Sequence, residues 1–141
     1  MKNELINKLP HGKDFLFVDE IIEVSTRKII GSYTFPEDDF YVGSHFKNNP
    51  IVPGVLITEA ATQIGLGCFG IFLLEQANEK ATHFVLTASS MDFLKALKPG
   101  KSISVEAESI YFRFYKLKVN VRIYSANQLI AKGILEGMAV N

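Results

Sequence analysis

One histidine, one glycine and one glutamate stand close enough in this chain to form a reaction centre. His45 is the only histidine in a polar stretch that runs into Pro50 and Pro53. Gly54 follows Pro53 at the start of an apolar run, where a first-turn backbone N–H has no intrahelical acceptor. Glu59 lies about five residues, or about 7.5 Å, further along if the run is helical. A base, an oxyanion-binding N–H and an acid suit proton abstraction next to a carbonyl. Neutral imidazole takes the proton. The oxygen that gains charge is held by the Gly54 N–H and the positive end of the helix. Apolar surroundings disfavour an ionised glutamate, which would leave Glu59 protonated and able to donate to a leaving hydroxyl. The same residues also admit a plain structural role. His45 is then an ordinary loop histidine, and Glu59 a carboxylate satisfied by neighbouring amides or hydroxyls. Gln63, four residues after Glu59, shares its helix face and either orients it or simply pairs with it.

The elements that must position these residues follow from periodicity. Residues 2–8 fit a short helix stopped before Pro10, since the residue preceding proline avoids the helical region. Phe15–Val24 and Lys28–Phe35 read as a β-hairpin, rich in β-formers and closed by the turn Pro36–Asp39. Residues 36–53 carry no period, and a loop that long in a small domain is often functional. Pro53 opens a helix that runs to about Gln76 and is apolar almost all round, so it should be buried on most sides. From His83 onward the period is two. Phe84–Thr87 leads through a bend near Ser89-Ser90 to Phe93–Leu97. Ser102–Phe114, Leu117–Ser125 and Gln128–Val140 follow as successive strands of a meander. Hairpin, one buried helix and meander together predict an α+β domain whose sheet wraps a single central helix.

Composition narrows the function class. The 141 residues form one domain spanning 1–141, and 48% of them are hydrophobic, enough for a real core. Fifteen basic and fifteen acidic residues cancel, so no global field draws the chain to nucleic acid or an anionic membrane. The run Ile64–Leu74 is too short to span a bilayer, and the N-terminal residues lack the apolar core of a signal peptide. A soluble, cytoplasmic protein is expected. Cys68 stands alone and no metal-type Cys/His spacing is present, so neither a disulfide, a metal nor another cofactor is expected.

The segment Ser44-His45-Phe46, then Pro50-Ile51-Val52-Pro53-Gly54-Val55-Leu56-Ile57, then Glu59-Ala60 and Gln63, resembles the active-site signature of the β-hydroxyacyl-acyl-carrier-protein dehydratases of the FabZ type. Leu9-Pro10-His11 and Phe15–Asp19 resemble that family's opening segment, and Phe93–Gly100 its later Pro-Gly turn. The resemblance implies a hotdog fold, a curled antiparallel sheet around one helix. It implies dehydration of a 3-hydroxyacyl thioester, on acyl carrier protein or coenzyme A, to the trans-2-enoyl product. His45 then matches the catalytic histidine, Glu59 the catalytic acid and Gly54 the glycine that binds the thioester carbonyl. The family pairs the histidine of one subunit with the carboxylate of another, so a homodimer is implied, with a trimer of dimers as its further assembly. Glu rather than Asp at position 59 favours simple dehydration over double-bond isomerisation. The chain departs from the pattern at Ser44, where Gly is expected, and at Lys47, Asn48 and Asn49, which replace Pro, Gly and often His. These departures leave the substrate open, and suggest a polyene, pigment or related pathway beside fatty-acid synthesis.

Other residues take roles by type. Phe46, Phe93 and Phe40, with Phe35 and Tyr41, are candidates to wall an acyl tunnel, against a default of core packing. Lys95 and Lys98 are candidates to meet an acidic carrier, in a basic rim that would also collect Lys101, Arg113, Lys116 and Lys118. Cys68 reads as a core residue, and His11 and His83 as structural. Two other functions fit the same fold. One is an acyl thioesterase whose carboxylate activates water. The other is a non-catalytic partner that only binds the acyl carrier.

Overall fold

A computed structural model describes residues 2–81 and 83–141. In chain order the elements are α1 (Glu4–Asn7), β1 (Glu20–Val24), β2 (Lys28–Thr34), the long helix α2 (Gly54–Gln76), β3 (His83–Phe93), β4 (Ser102–Arg113), β5 (Lys116–Ser125) and β6 (Gln128–Val140). The six strands make one antiparallel sheet in the order β1-β2-β4-β5-β6-β3. It curls around α2 without closing, the hotdog architecture.

Period-two patterning fixes which face meets the helix. Leu117, Val119, Val121 and Ile123 of β5, with Ile103, Val105 and Ala107 of β4, point inward and are fully buried. Ile64, Leu66, Cys68 and Phe69 of α2 meet them. At Gly65 an added Cβ would come 3.1 Å from the Cβ of Ala107, so glycine lets the sheet close on the helix there. Irregular register at Ser109/Tyr111 in β4 and Leu86/Ala88 in β3 adds local bend and twist. Midway along α2, Gln63–Cys68 widens to a π-helical turn. The face presented by Glu59 is thereby offset in phase from the one presented by the last two turns.

Two expectations are corrected and a third is narrowed. The first strand does not begin at Phe15. Lys13–Phe15 forms a single 3-10 turn, and the Phe17 N–H bonds to the Gln63 side chain instead of to a neighbouring strand. β3 is one continuous strand ending at Phe93, with a bulge in place of the bend near Ser89-Ser90; the Leu94 and Lys95 N–H groups then both turn to Ile130 O. The meander, three or four strands long by sequence, has three, and β3 is not its first. β3 pairs with β6 at the far edge, because β2 and β5 already occupy both sides of β4. Along β3 only Phe84 is buried, and Val85, Leu86 and Phe93 stand exposed.

Candidate active site

The 36–53 loop contains no helix or strand, yet its backbone is tied at each step toward His45. The N–H groups of Ser44 and His45 both donate to Tyr41 O at 2.9 Å. Phe46 and Asn49 exchange backbone hydrogen bonds of 3.1 Å, with Asn48 at φ 61°, a conformation asparagine tolerates better than most residues. Ile51 N–H then donates to His45 O at 2.7 Å. The result is a small tight turn with the imidazole at its base. His45 Nδ1 lies 2.9 Å from Ile51 O. A carbonyl only accepts, so Nδ1 carries the proton and Nε2 of the neutral ring keeps its lone pair, as a base requires. Phe46 stacks on the imidazole at 4.2 Å between ring centres.

His45 opens onto a cleft of about 390 Å³, whose walls include Ile51, Gly54, Ile57, Phe93 and Lys95. Gly54 is the first residue of α2, after Pro53 at the N-cap, so its N–H belongs to the set without an intrahelical acceptor. The Phe93 ring covers Gly54 so closely that an added Cβ would meet three of its carbons at 3.1–3.3 Å. Gly54, at the start of the helix, and His45 thus line one largely apolar cleft.

Glu59 lies outside it. Its side chain is 26% exposed, and Oε2 accepts a hydrogen bond from Gln63 Nε2 at 2.9 Å. His11 Nε2 stands 3.7 Å from the same oxygen. The surroundings of Glu59 are therefore an amide and an imidazole rather than the apolar enclosure expected from the helix sequence. Gln63 itself is buried: its Oε1 accepts from Phe17 N–H at 2.7 Å, and Nε2 also donates to Phe15 O at 2.9 Å. Among the described residues, no hydrogen bond or ion pair joins Glu59 to His45.

The remaining candidates separate. Phe93 lines the cleft. Phe46 is half-exposed against His45, and Phe40 is 86% exposed, edge-on to Tyr41 and away from the cleft walls. Phe35 is wholly inside the core with Phe17 and Tyr33. Tyr41 is buried too, and burial first, then the Asp39 carboxylate, pushes its hydroxyl up to about 12. Lys95 sits on the cleft wall, with Nζ donating to Gln128 Oε1 at 2.8 Å, and Lys98 is exposed just beyond it. The proposed basic rim splits in two. Lys95, Lys98 and Lys101 lie toward the start of β4, whereas Arg113, Lys116 and Lys118 lie at its other end, roughly 35 Å away along the strand. Cys68 is core, as expected, and burial pushes its thiol up to about 12. His11 is the residue that sequence reasoning left aside. Only the tertiary fold brings the opening segment across the helix to Glu59.

Residues 9–133 match the FabA-like domain, and the chain belongs to that family. It is 32% identical over 93% of its length to a 3-hydroxyacyl-[acyl-carrier-protein] dehydratase FabZ of Caldicellulosiruptor saccharolyticus, covering 92% of that protein. Among solved structures, the dehydratase heterocomplex ApeI:P of Xenorhabdus doucetiae superposes with a TM-score of 0.80 at 15% identity, over 97% of this chain and 91% of that one. A hypothetical thioesterase of Streptococcus pneumoniae with coenzyme A gives 0.64 at 16% identity, over 86% and 85%. At such identities the last two establish the fold alone.

Proposed function

We propose that this protein is a 3-hydroxyacyl-[acyl-carrier-protein] dehydratase, a lyase of fatty-acid or related acyl-chain biosynthesis. The observation that carries the reading is the shared cleft of His45 and Gly54, with a lone-pair-bearing Nε2 and a free-standing first-turn N–H. His45 Nε2 takes the proton from the carbon next to the thioester carbonyl. The carbonyl oxygen gains charge and is held by the Gly54 N–H. The electron pair forms the new double bond as the 3-hydroxyl leaves, protonated by the Glu59 carboxyl to give water. Phe93 walls the acyl chain, with Phe46 beside the histidine, and Lys95 on the cleft wall, with Lys98 exposed three residues on, suits an acidic carrier.

Because His45 and Glu59 do not meet within one chain, a second copy supplies the missing partner. β3 supports this arrangement. It is an eleven-residue edge strand with one ladder side open and exposed apolar residues Val85, Leu86 and Phe93. Such an edge invites a further strand. We therefore read a homodimer. We also read a soluble protein, since α2 has the length and hydropathy of a membrane span but is mostly buried inside the fold, and a cytoplasmic one, since its single cysteine is a free, buried thiol.

Purified protein given 3-hydroxyacyl-carrier protein should produce the absorbance of the enoyl thioester. His45→Ala and Glu59→Gln should each lower kcat by about 10²–10⁴-fold, the span of general acid–base catalysis. Full activity in either variant, or release of free thiol in place of enoyl product, would refute the assignment.

A further inference from the structure

We propose that His11 is a positioning residue for the Glu59 carboxyl group, an inference that rests on the reading of Glu59 as the proton donor. His11 belongs to a strap, residues 9–17, that crosses α2 and is anchored at both ends. At one end Leu9 is buried, with its Cδ2 filling the space where a Cβ on Gly67 would stand, 2.7 Å away. At the other, Phe15 O and Phe17 N–H are both held by Gln63. Between these anchors His11 stacks on Phe15 and directs Nε2 to within 3.7 Å of Glu59 Oε2.

The imidazole has a preferred proton position. Its Nδ1 is buried with no hydrogen-bond partner among the described residues. A buried N–H left unpaired is rarer and costlier than a buried acceptor with a spare lone pair. The proton therefore sits on Nε2, the nitrogen that faces Glu59. At 3.7 Å the contact is longer than a direct hydrogen bond. Contacts of this kind in unliganded sites often tighten when substrate binds. Gln63 already donates to the same oxygen at 2.9 Å. Two donors gathered on Oε2 select one rotation of the carboxyl group and turn Oε1 outward, toward the substrate that a second copy would present. His11 touches neither substrate nor the reacting carbon in this arrangement and acts through Glu59.

The test uses the full chain in the enoyl-forming assay. His11→Phe keeps the stacking on Phe15 and removes the donor, and His11→Gln restores a donor on a side chain that can reach. His11→Phe should lower kcat about 10- to 100-fold with KM changed less than about twofold, the signature of a misplaced catalytic group. His11→Gln should recover most of that loss, and His11→Phe should cost nothing further in a Glu59→Gln background. Thermal unfolding of each variant separates misplacement from misfolding. An inactive Glu59→Gln beside an unaffected His11→Phe overturns this inference alone, as does a His11→Gln no better than His11→Phe. A wild-type protein without enoyl product, or a fully active Glu59→Gln, overturns the reading of the site and this inference with it.

Discussion

Gln63 is 1% exposed, and its amide holds three groups at once: Phe17 N–H, Phe15 O and Glu59 Oε2. Replacing it with Leu preserves apolar volume and strips all three. The Phe15 carbonyl and Phe17 N–H would be left unpaired, each at about 1–3 kcal/mol, so Gln63→Leu should lose roughly 2–6 kcal/mol in urea unfolding. The same change should lower kcat, because Glu59 loses its nearer donor. The four-residue spacing of Glu59 and Gln63 was readable in the sequence, since helical geometry alone puts them on one face. The backbone partners of Gln63 and the approach of His11 were not. Those contacts join residues 11–17 to residues 59–63, and no local period records which distant backbone an amide or imidazole will meet.

At the scale of elements, helix and strand periods carried most of what the structure shows. α2 and the inward faces of β4, β5 and β6 were legible because burial on one face leaves a repeat in the chain. The partner of β3 was not legible. A strand buried only at Phe84 records little preference for its neighbour, and its place is decided by which sheet edge remains open. Two hairpin tips expose another local tension. Phe114 and Tyr115 sit at φ 53° and 62°, and Ala126 and Asn127 at φ 50° and 63°, in turns where Asn-Gly is the favoured pair. For Phe and Ala this conformation costs about 1–2 kcal/mol. Phe114 is 87% exposed, so little packing is lost on replacing it. Phe114→Asn and Ala126→Asn should each raise Tm by about 2–4 °C in a thermal scan, the shift that about 1 kcal/mol gives a domain of this size.

For the whole molecule, the separation of His45 from Glu59 gives the proposed two-copy site a sharp test. Under that proposal, the His45→Ala and Glu59→Gln variants, mixed at equal amounts, unfolded and refolded together, should form mixed dimers. In each, one site has both wild-type groups and the other has neither. Random pairing under two-fold symmetry should restore about a quarter of wild-type activity. A site complete within one chain would restore none. The position of β3 also bears on when such a partner can be met. Its ladder runs from His83 opposite Val140 to Phe93 opposite Ala131, so it has no sheet to join until β4, β5 and β6 have been made. During synthesis the helix and the His45 loop leave the ribosome well before the edge beside them can exist. Long-range pairing of this kind slows folding. It also means that nascent chains on neighbouring ribosomes have no finished edge to offer one another, and a copy becomes able to associate only after its own sheet has closed over the helix.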